Sequence, residues 1–193
     1  MSKIVFMLEE PSMKELLDKL LPDLLPQGVD FMTVTHEGKQ DLEKSITRKL
    51  RAWKEPGVRF IIVRDQDGGD CCRIKDNLSS ICARVGRPDS VVRIVCNELE
   101  SWFLGDLTAV AAAYDKPSIA RLQRKKKYRN PDGVTNAAEE LKKLVPDYQK
   151  LQGARRIADY IDRDRNLSNS FHAFLEGVLR IANSNPDPGE RFP

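Results

Sequence analysis

The chain has 193 residues, with 32 basic against 29 acidic side chains and a formal net charge of +3. This balance excludes a protein that holds nucleic acid by bulk charge alone, and the length suits one domain or a domain with an extension. The apolar runs are too short to cross a bilayer, we expect no secretory signal, and the four cysteines form no CxxC pair. We therefore expect a cytoplasmic protein that does not contact membranes.

The first hundred residues alternate between two hydrophobic patterns. Continuous apolar runs predict strands over residues 3–8, 31–35, 58–63 and 91–96. After each of the first three runs, apolar residues recur at helical spacing, with Pro22 as an interruption in the first helix. Strands that are apolar throughout and separated by helices indicate a parallel sheet covered on both faces. The sequence therefore predicts an α/β fold with a mostly parallel four-stranded sheet.

After Trp102 the pattern is helical only. Helical periodicity covers residues 134–144, 154–163 and 168–182. We predict an α/β core over residues 1–106 and a helical extension over residues 107–184 that packs on it. Residues 185–193 contain three prolines and are predicted to form a flexible tail.

Carboxylates follow three of the four predicted strands. They are Glu9 with Glu10, Asp65 with Asp67, and Glu98 with Glu100. In a parallel sheet the carboxyl ends of neighbouring strands lie roughly 5 Å apart and open into one crevice. Because crowded acids raise each other's pKa, a divalent cation is the simplest compensation, and carboxylate oxygens favour Mg²⁺ or Mn²⁺. The pattern predicts a metal-dependent phosphoryl-transfer site.

Two of the three acidic segments also have a purely structural interpretation, whereas Glu98 and Glu100 are less easily explained as solvated surface. The run after the third strand is typical of a turn, and Asp70 would cap the next helix. Ser12 would cap the first helix, with Glu15 completing a capping box. A zinc site is disfavoured, because His36 and His172 lie far apart and the spacing of structural zinc ligands is missing.

Two basic features are candidates for substrate binding. Lys39 follows the second strand, where it would neutralise a phosphate or simply begin a helix. The second feature is a basic run, which we predict to clamp a nucleic-acid backbone while Tyr128 stacks on a base. A solvated surface is the alternative interpretation of this run. Its candidate residues are Arg124, Lys125, Lys126, Lys127 and Arg129.

Several short segments together resemble a bacterial family of unknown function with a Toprim-like fold, which is related to the Toprim domains of overcoming-lysogenization-defect (OLD) nucleases. The resemblance covers nearly the whole chain. The segments are residues 8–12, 38–42, 64–67 and 98–104, followed by Tyr148, Lys150, Gly153 with Ala154, and residues 168–171.

The resemblance implies a catalytic glutamate after the first strand, an Asp-x-Asp after the third and a further glutamate after the fourth. By position these are Glu9, Asp65 with Asp67, and Glu100, with Glu98 beside it as a further metal ligand. The chain departs from the pattern at two positions. Glu10 stands where Toprim domains have glycine, and Met13 stands where the nucleases commonly have another acid.

We interpret the chain as a metal-dependent nuclease in which Asp65, Asp67 and Glu100 hold Mg²⁺ or Mn²⁺. Glu9 is a ligand or the general base. The resemblance implies a role in bacterial phage defence beside an AAA- or ABC-type ATPase, and we also expect a homodimer. The sequence leaves DNA and RNA open as substrates. The alternatives are a non-catalytic partner subunit of an ATPase and another magnesium-dependent phosphotransferase or phosphatase.

Overall fold

A parallel four-stranded sheet organises the computed structural model, which describes residues 2–184. The strand order is β2-β1-β3-β4, and every neighbouring pair is parallel. The strands are β1 (Ser2–Leu8), β2 (Val29–Thr35), β3 (Val58–Asp65) and β4 (Val91–Val95). The predicted α/β class and sheet are confirmed.

Helices follow each strand and then fill the C-terminal half. Three short 3-10 helices, Ala120–Arg124, Lys126–Arg129 and Pro131–Gly133, separate the fifth α-helix from the sixth. The α-helices of the described residues are α1 (Pro11–Leu24), α2 (Lys39–Ala52), α3 (Cys71–Arg84), α4 (Glu100–Gly105), α5 (Leu107–Ala113), α6 (Ala137–Leu144), α7 (Lys150–Ile157) and α8 (Asn169–Asn183). Within that range, no helix combines the length and the apolar character needed to span a membrane.

The starts of α1 and α3 differ in how they are capped. Asp70 caps α3 as predicted, because its carboxylate accepts hydrogen bonds from the backbone N–H groups of Cys72 and Arg73. The predicted Ser12 cap is wrong. Helix α1 begins earlier, at Pro11, whose missing N–H costs nothing at a first helical position. The Ser12 hydroxyl instead donates to the Glu10 carboxylate at 2.5 Å.

The two faces of the sheet bury different sets of side chains. Along β1, Ile4, Phe6 and Leu8 point to one face, while Val5 and Met7 point to the other, as the period of two requires. The face of Val5 and Met7 is covered by α2 and α3. The opposite face is covered by α1 and by the C-terminal helices, so the helical part packs directly on the sheet.

Aromatic rings join the C-terminal helices to the sheet. The Phe174 ring of α8 lies 6.4 Å from Phe6 of β1 and 5.2 Å from Trp102 of α4. Trp102 is fully buried, and its indole N–H donates to the Ser170 hydroxyl at 2.8 Å. The predicted flexible tail, residues 185–193, lies outside the described residues.

The helix predicted over residues 154–163 is displaced toward the N-terminus and ends at Ile157. The cause is a tertiary contact. The buried Asp106 carboxylate accepts a hydrogen bond from the backbone N–H of Asp162 at 3.0 Å and pairs with Arg165 at 2.7 Å. This contact holds the residues after α7 as a loop against the start of α5. Local periodicity gives no sign of such a contact.

Candidate metal centre

The carboxyl ends of the strands form one level edge. In the pairing register, Leu8 of β1 lies between Thr35 of β2 and Val63 of β3, and Asp65 lies beside Val95 of β4. The residues that follow these positions therefore meet at the same edge. This is where α/β sheets bind their ligands.

Glu9 and Asp65 are joined at this edge by a hydrogen bond. The backbone N–H of Asp65 donates to the Glu9 carboxylate at 3.0 Å, and the Arg64 guanidinium lies 3.9 Å away. Burial raises the pKa of Glu9, and the negative charges of Asp67 and Glu10 add to the rise, while the Asp65 N–H and Arg64 oppose it. The Glu9 carboxylate is consequently more basic than an ordinary glutamate.

Asp65 is the most strongly perturbed acid of the group. Its side chain is buried at the end of β3, and burial is the main reason that its pKa lies well above the ordinary value. Glu10, Glu9 and Glu100 raise the pKa further through their charges, and Lys150 opposes them. The charges of three carboxylates from other parts of the chain thus act on Asp65.

Glu100 begins α4 and is fully buried. One of its carboxylate oxygens accepts a hydrogen bond from the Tyr148 hydroxyl at 2.8 Å, while the other, Oε2, is buried without a hydrogen-bond partner. Burial raises the pKa of Glu100. A buried carboxylate oxygen without a partner is unusual, and a cation would satisfy it.

Lys150 faces the same carboxylates from the start of α7. Its ammonium lies 3.4 Å from the Glu10 carboxylate, and its side chain is half-exposed. Burial lowers its pKa, but the charges of Glu100, Glu10 and Asp65 outweigh this effect and raise it. Sequence reasoning assigned Lys150 no role, because 50 positions separate it from Glu100 and only tertiary folding brings them together.

Asp67 and Lys39 meet at the rim of the centre. The Asp67 carboxylate lies 3.0 Å from the Lys39 ammonium, and both side chains are partly exposed. Asp67 has a φ of 51° and Asn97 one of 58°, a left-handed conformation that Asp and Asn tolerate better than most residues. The backbone N–H of Asp67 donates to the Asn97 carbonyl at 3.1 Å, which fixes the two loops to each other.

Glu98 takes part in a different contact. Its carboxylate accepts a hydrogen bond from the backbone N–H of Ala138 at 2.8 Å, at the start of α6. The structure therefore brings Glu9, Asp65 and Glu100 to the same edge of the sheet, where the charges of Glu9 and Glu100 act on Asp65. Asp67 pairs with Lys39 beside them, and Glu98 is engaged at the neighbouring helix.

The basic run forms the first two 3-10 helices of the C-terminal half. The five charged residues predicted to bind substrate are exposed. The predicted base stacking by Tyr128 is wrong, because its ring is buried and its hydroxyl donates to the Glu140 carboxylate at 2.6 Å. Apolar packing and this hydrogen bond both hold the ring inside the protein.

By the chemistry of their donor atoms, the acids at the strand ends suit a hard divalent cation. The ligands on offer are carboxylate oxygens, two of the acids are buried, and Glu100 Oε2 lacks a partner. Within residues 2–184, the three ligand atoms found within 4.8 Å of one another belong to Asp70, Cys71 and Cys72. The strand-end acids are spaced more widely, with the Lys150 ammonium as their counter-charge.

The strand order, the flanking helices and the acids at three strand ends define an α/β protein with a Toprim-like fold. The chain belongs to the family described as "Domain of unknown function (DUF4276)", whose model matches residues 8–179.

Among solved structures, the chain is similar to the C-terminal region of the Burkholderia pseudomallei OLD protein. The TM-score is 0.57 and the identity 16%, over 93% of this chain and 96% of that one. This confirms the fold and the resemblance found in the sequence. No curated protein matches the chain.

Proposed function

We propose that the protein is a metal-dependent nuclease that hydrolyses phosphodiester bonds. The observation that carries the proposal is the position of Glu9, Asp65 and Glu100 at one edge of the sheet, where two of them are buried and Glu9 accepts a hydrogen bond from the Asp65 N–H. Burying like charges together is unfavourable for folding, so such a cluster at a ligand-binding edge is typical of a functional site. The Toprim-like fold supports the same reaction class.

In this proposal Asp65, Asp67 and Glu100 hold Mg²⁺ or Mn²⁺. When bound, the cation stabilises negative charge on the phosphate and lowers the pKa of a water molecule. Glu9 has a raised pKa and accepts a proton readily, which suits a general base or a ligand. Lys150, beside Glu10, and Lys39, beside Asp67, would attract phosphate oxygens by charge.

The test is a cleavage assay on labelled single- and double-stranded DNA and RNA, with Mg²⁺, Mn²⁺ or EDTA. Cleavage by the wild type should require the metal, and Asp67→Ala should reduce the rate by about 100-fold or more. Asp76→Asn removes one exposed carboxylate from α3 and serves as the matched control. Wild-type rates in Asp67→Ala would remove this acid from the mechanism.

The same assay distinguishes the two alternatives. A phosphatase or phosphotransferase would turn over nucleotides or small phosphate esters and leave polymers intact. A non-catalytic subunit would cleave neither, while still binding a partner. An ATPase partner, a homodimer and a role in phage defence stay predictions from the resemblance.

A further inference from the structure

A lysine-lined groove of about 600 Å³ lies between the last two 3-10 helices and the start of α6. We call it the lysine groove. Three ammonium groups and two carboxamides line it together with one carboxylate. These side chains are Lys126, Lys127, Lys143, Asn130, Asn136 and Glu140.

The charge of the lysine groove is positive even after its internal pairing. The Glu140 carboxylate is buried and accepts a hydrogen bond from Tyr128, and it lies 2.6 Å from the Lys127 ammonium and 3.4 Å from that of Lys143. One carboxylate thus pairs with two of the three lysines that line the groove, and Lys126 adds a third positive charge. The groove retains an excess of two positive charges, held on a wall that Glu140 and Tyr128 fix in place.

The lysine groove is attached to the loop that borders the metal centre. The Asn97 side-chain amide donates to the Asp132 carbonyl at 2.7 Å, and the Glu98 carboxylate accepts from the Ala138 N–H at 2.8 Å. The same Asn97 accepts a hydrogen bond from the backbone N–H of Asp67. A chain of hydrogen bonds therefore connects the groove wall to the rim of the carboxylate cluster.

We propose that the lysine groove binds the phosphodiester backbone of a nucleic-acid strand beside the metal centre. This deepens the proposed nuclease function and rests on it. Lysine ammonium groups act as point charges that attract phosphate and make no base-specific contacts here. The groove would therefore position a polymer without selecting its sequence. Within the predicted basic run, the proposal separates Lys126 and Lys127, which line the groove, from Arg124 and Lys125, which do not.

The test is fluorescence anisotropy with a labelled 20-nucleotide single strand, as DNA and as RNA, in EDTA at several salt concentrations. The double variant Lys126→Gln/Lys143→Gln should bind at least about 10-fold more weakly. Its plot of log K against log salt should be shallower by about 1.4, from about 0.7 for each lost contact to single-stranded phosphate. The control Arg124→Gln/Lys125→Gln removes the same charge outside the groove and should stay within about 2-fold of the wild type.

Equal losses in the two double variants would overturn the proposal, since only general surface charge would then matter. An unchanged affinity in the groove variant would overturn it as well, once circular dichroism has shown the fold to be intact. A polyglutamate peptide that binds in competition with the strand, and more tightly, would assign the groove to an acidic protein instead.

The proposal can fail separately from the nuclease function. If strand binding depends on Lys126 and Lys143 but no metal-dependent cleavage occurs, the nuclease proposal is refuted and the proposed role of the lysine groove is retained. If metal-dependent cleavage occurs but strand affinity does not change when Lys126 and Lys143 are replaced, only the proposed role of the lysine groove is refuted.

Discussion

At the scale of single residues, Asp65 combines two features that oppose folding. Its carboxylate is buried, and three other acids face it, so the charged form is disfavoured inside the protein. Neither its strand neighbours nor its turn requires an acid at this position. The expectation is that Asp65 lowers the stability of the metal-free protein for the sake of ligand binding, as functional residues often do.

We predict that Asp65→Asn stabilises the metal-free protein at pH 8. Burial raises the folded-state pKa of Asp65 above the ordinary 3.8, so the wild type loses stability as the pH rises through that folded-state pKa. Asparagine has no such titration, and the difference should vanish near pH 4. Urea unfolding in EDTA between pH 4 and 8 measures the difference in the free energy of unfolding. In a thermal unfolding experiment each kcal/mol gained should appear as about 2–4 °C in Tm.

Excess Mg²⁺ or Mn²⁺ provides the control for this experiment. A cation that binds only the folded state stabilises it by RT ln(1 + [L]/Kd), so it should raise the Tm of the wild type and leave that of Asp65→Asn nearly unchanged. A stability difference that is independent of pH would show that the substitution acts through packing, and not through the charge of Asp65.

At the scale of elements, the start of α7 and the segment just before it contact the acids of the metal centre. Tyr148 donates to Glu100 and Lys150 faces Glu10. The close packing of Tyr148 on α7 depends on Gly153. A Cβ at this position would overlap the Tyr148 ring and lie 3.0 Å from the Tyr114 hydroxyl.

We predict that Gly153→Ala weakens metal binding although it contacts no acid of the centre. The added methyl group must displace the Tyr148 ring, which frees the Glu100 carboxylate from its hydrogen bond. Losing such a supporting contact typically lowers metal affinity by about 10-fold to 100-fold. Overpacking should also cost about 1–3 kcal/mol of stability. Calorimetric titration with Mn²⁺ and thermal unfolding measure the two effects.

Two further variants separate orientation of Glu100 from general damage. Gln152→Ala changes the exposed neighbour on the same helix and should have no effect on either measurement. Tyr148→Phe removes only the hydroxyl and should reproduce most of the affinity loss with less change in stability. Normal Mn²⁺ affinity in both Gly153→Ala and Tyr148→Phe would show that Glu100 needs no support from Tyr148.

At the scale of the whole molecule, the sequence predicted what local periodicity determines. The fully apolar strands and the helices between them specified the parallel sheet, and the sheet in turn placed Glu9, Asp65 and Glu100 at one edge. The start of α7 and the position of Lys150 depend on contacts between distant segments. The loop held by Asp106 is an example, since no pattern within residues 158–167 predicts it.

The two predictions that failed have different causes. Tyr128 lies in a basic run that looks solvated, yet its burial depends on Glu140 from α6, which also pairs with Lys127. Ser12 is a suitable helix cap by residue type, but it lies within the first turn of α1, and its hydroxyl donates a hydrogen bond to the carboxylate of Glu10, the residue before the helix. A distant helix therefore determines the position of Tyr128, whereas an immediate neighbour determines the contact of Ser12.

The final prediction is that the sheet and the C-terminal helices unfold in one transition. Both hydrophobic clusters contain residues of β1 and β3. Because the two clusters share these strands, removing the helices from one face should destabilise the strands on which the helices of the other face pack. The two tryptophans report on opposite faces. Trp53 packs on Phe60 at 5.7 Å, whereas Trp102 packs on Phe174.

In the single-tryptophan variants Trp53→Phe and Trp102→Phe, guanidinium unfolding is followed by fluorescence and by far-ultraviolet circular dichroism. Within each variant the two signals should give one midpoint, because secondary structure cannot persist after either face opens. Comparing signals within a variant removes the stability change that each substitution causes. If the Trp102 fluorescence changed at a lower denaturant concentration than the circular dichroism, the C-terminal helices would be a separate unit.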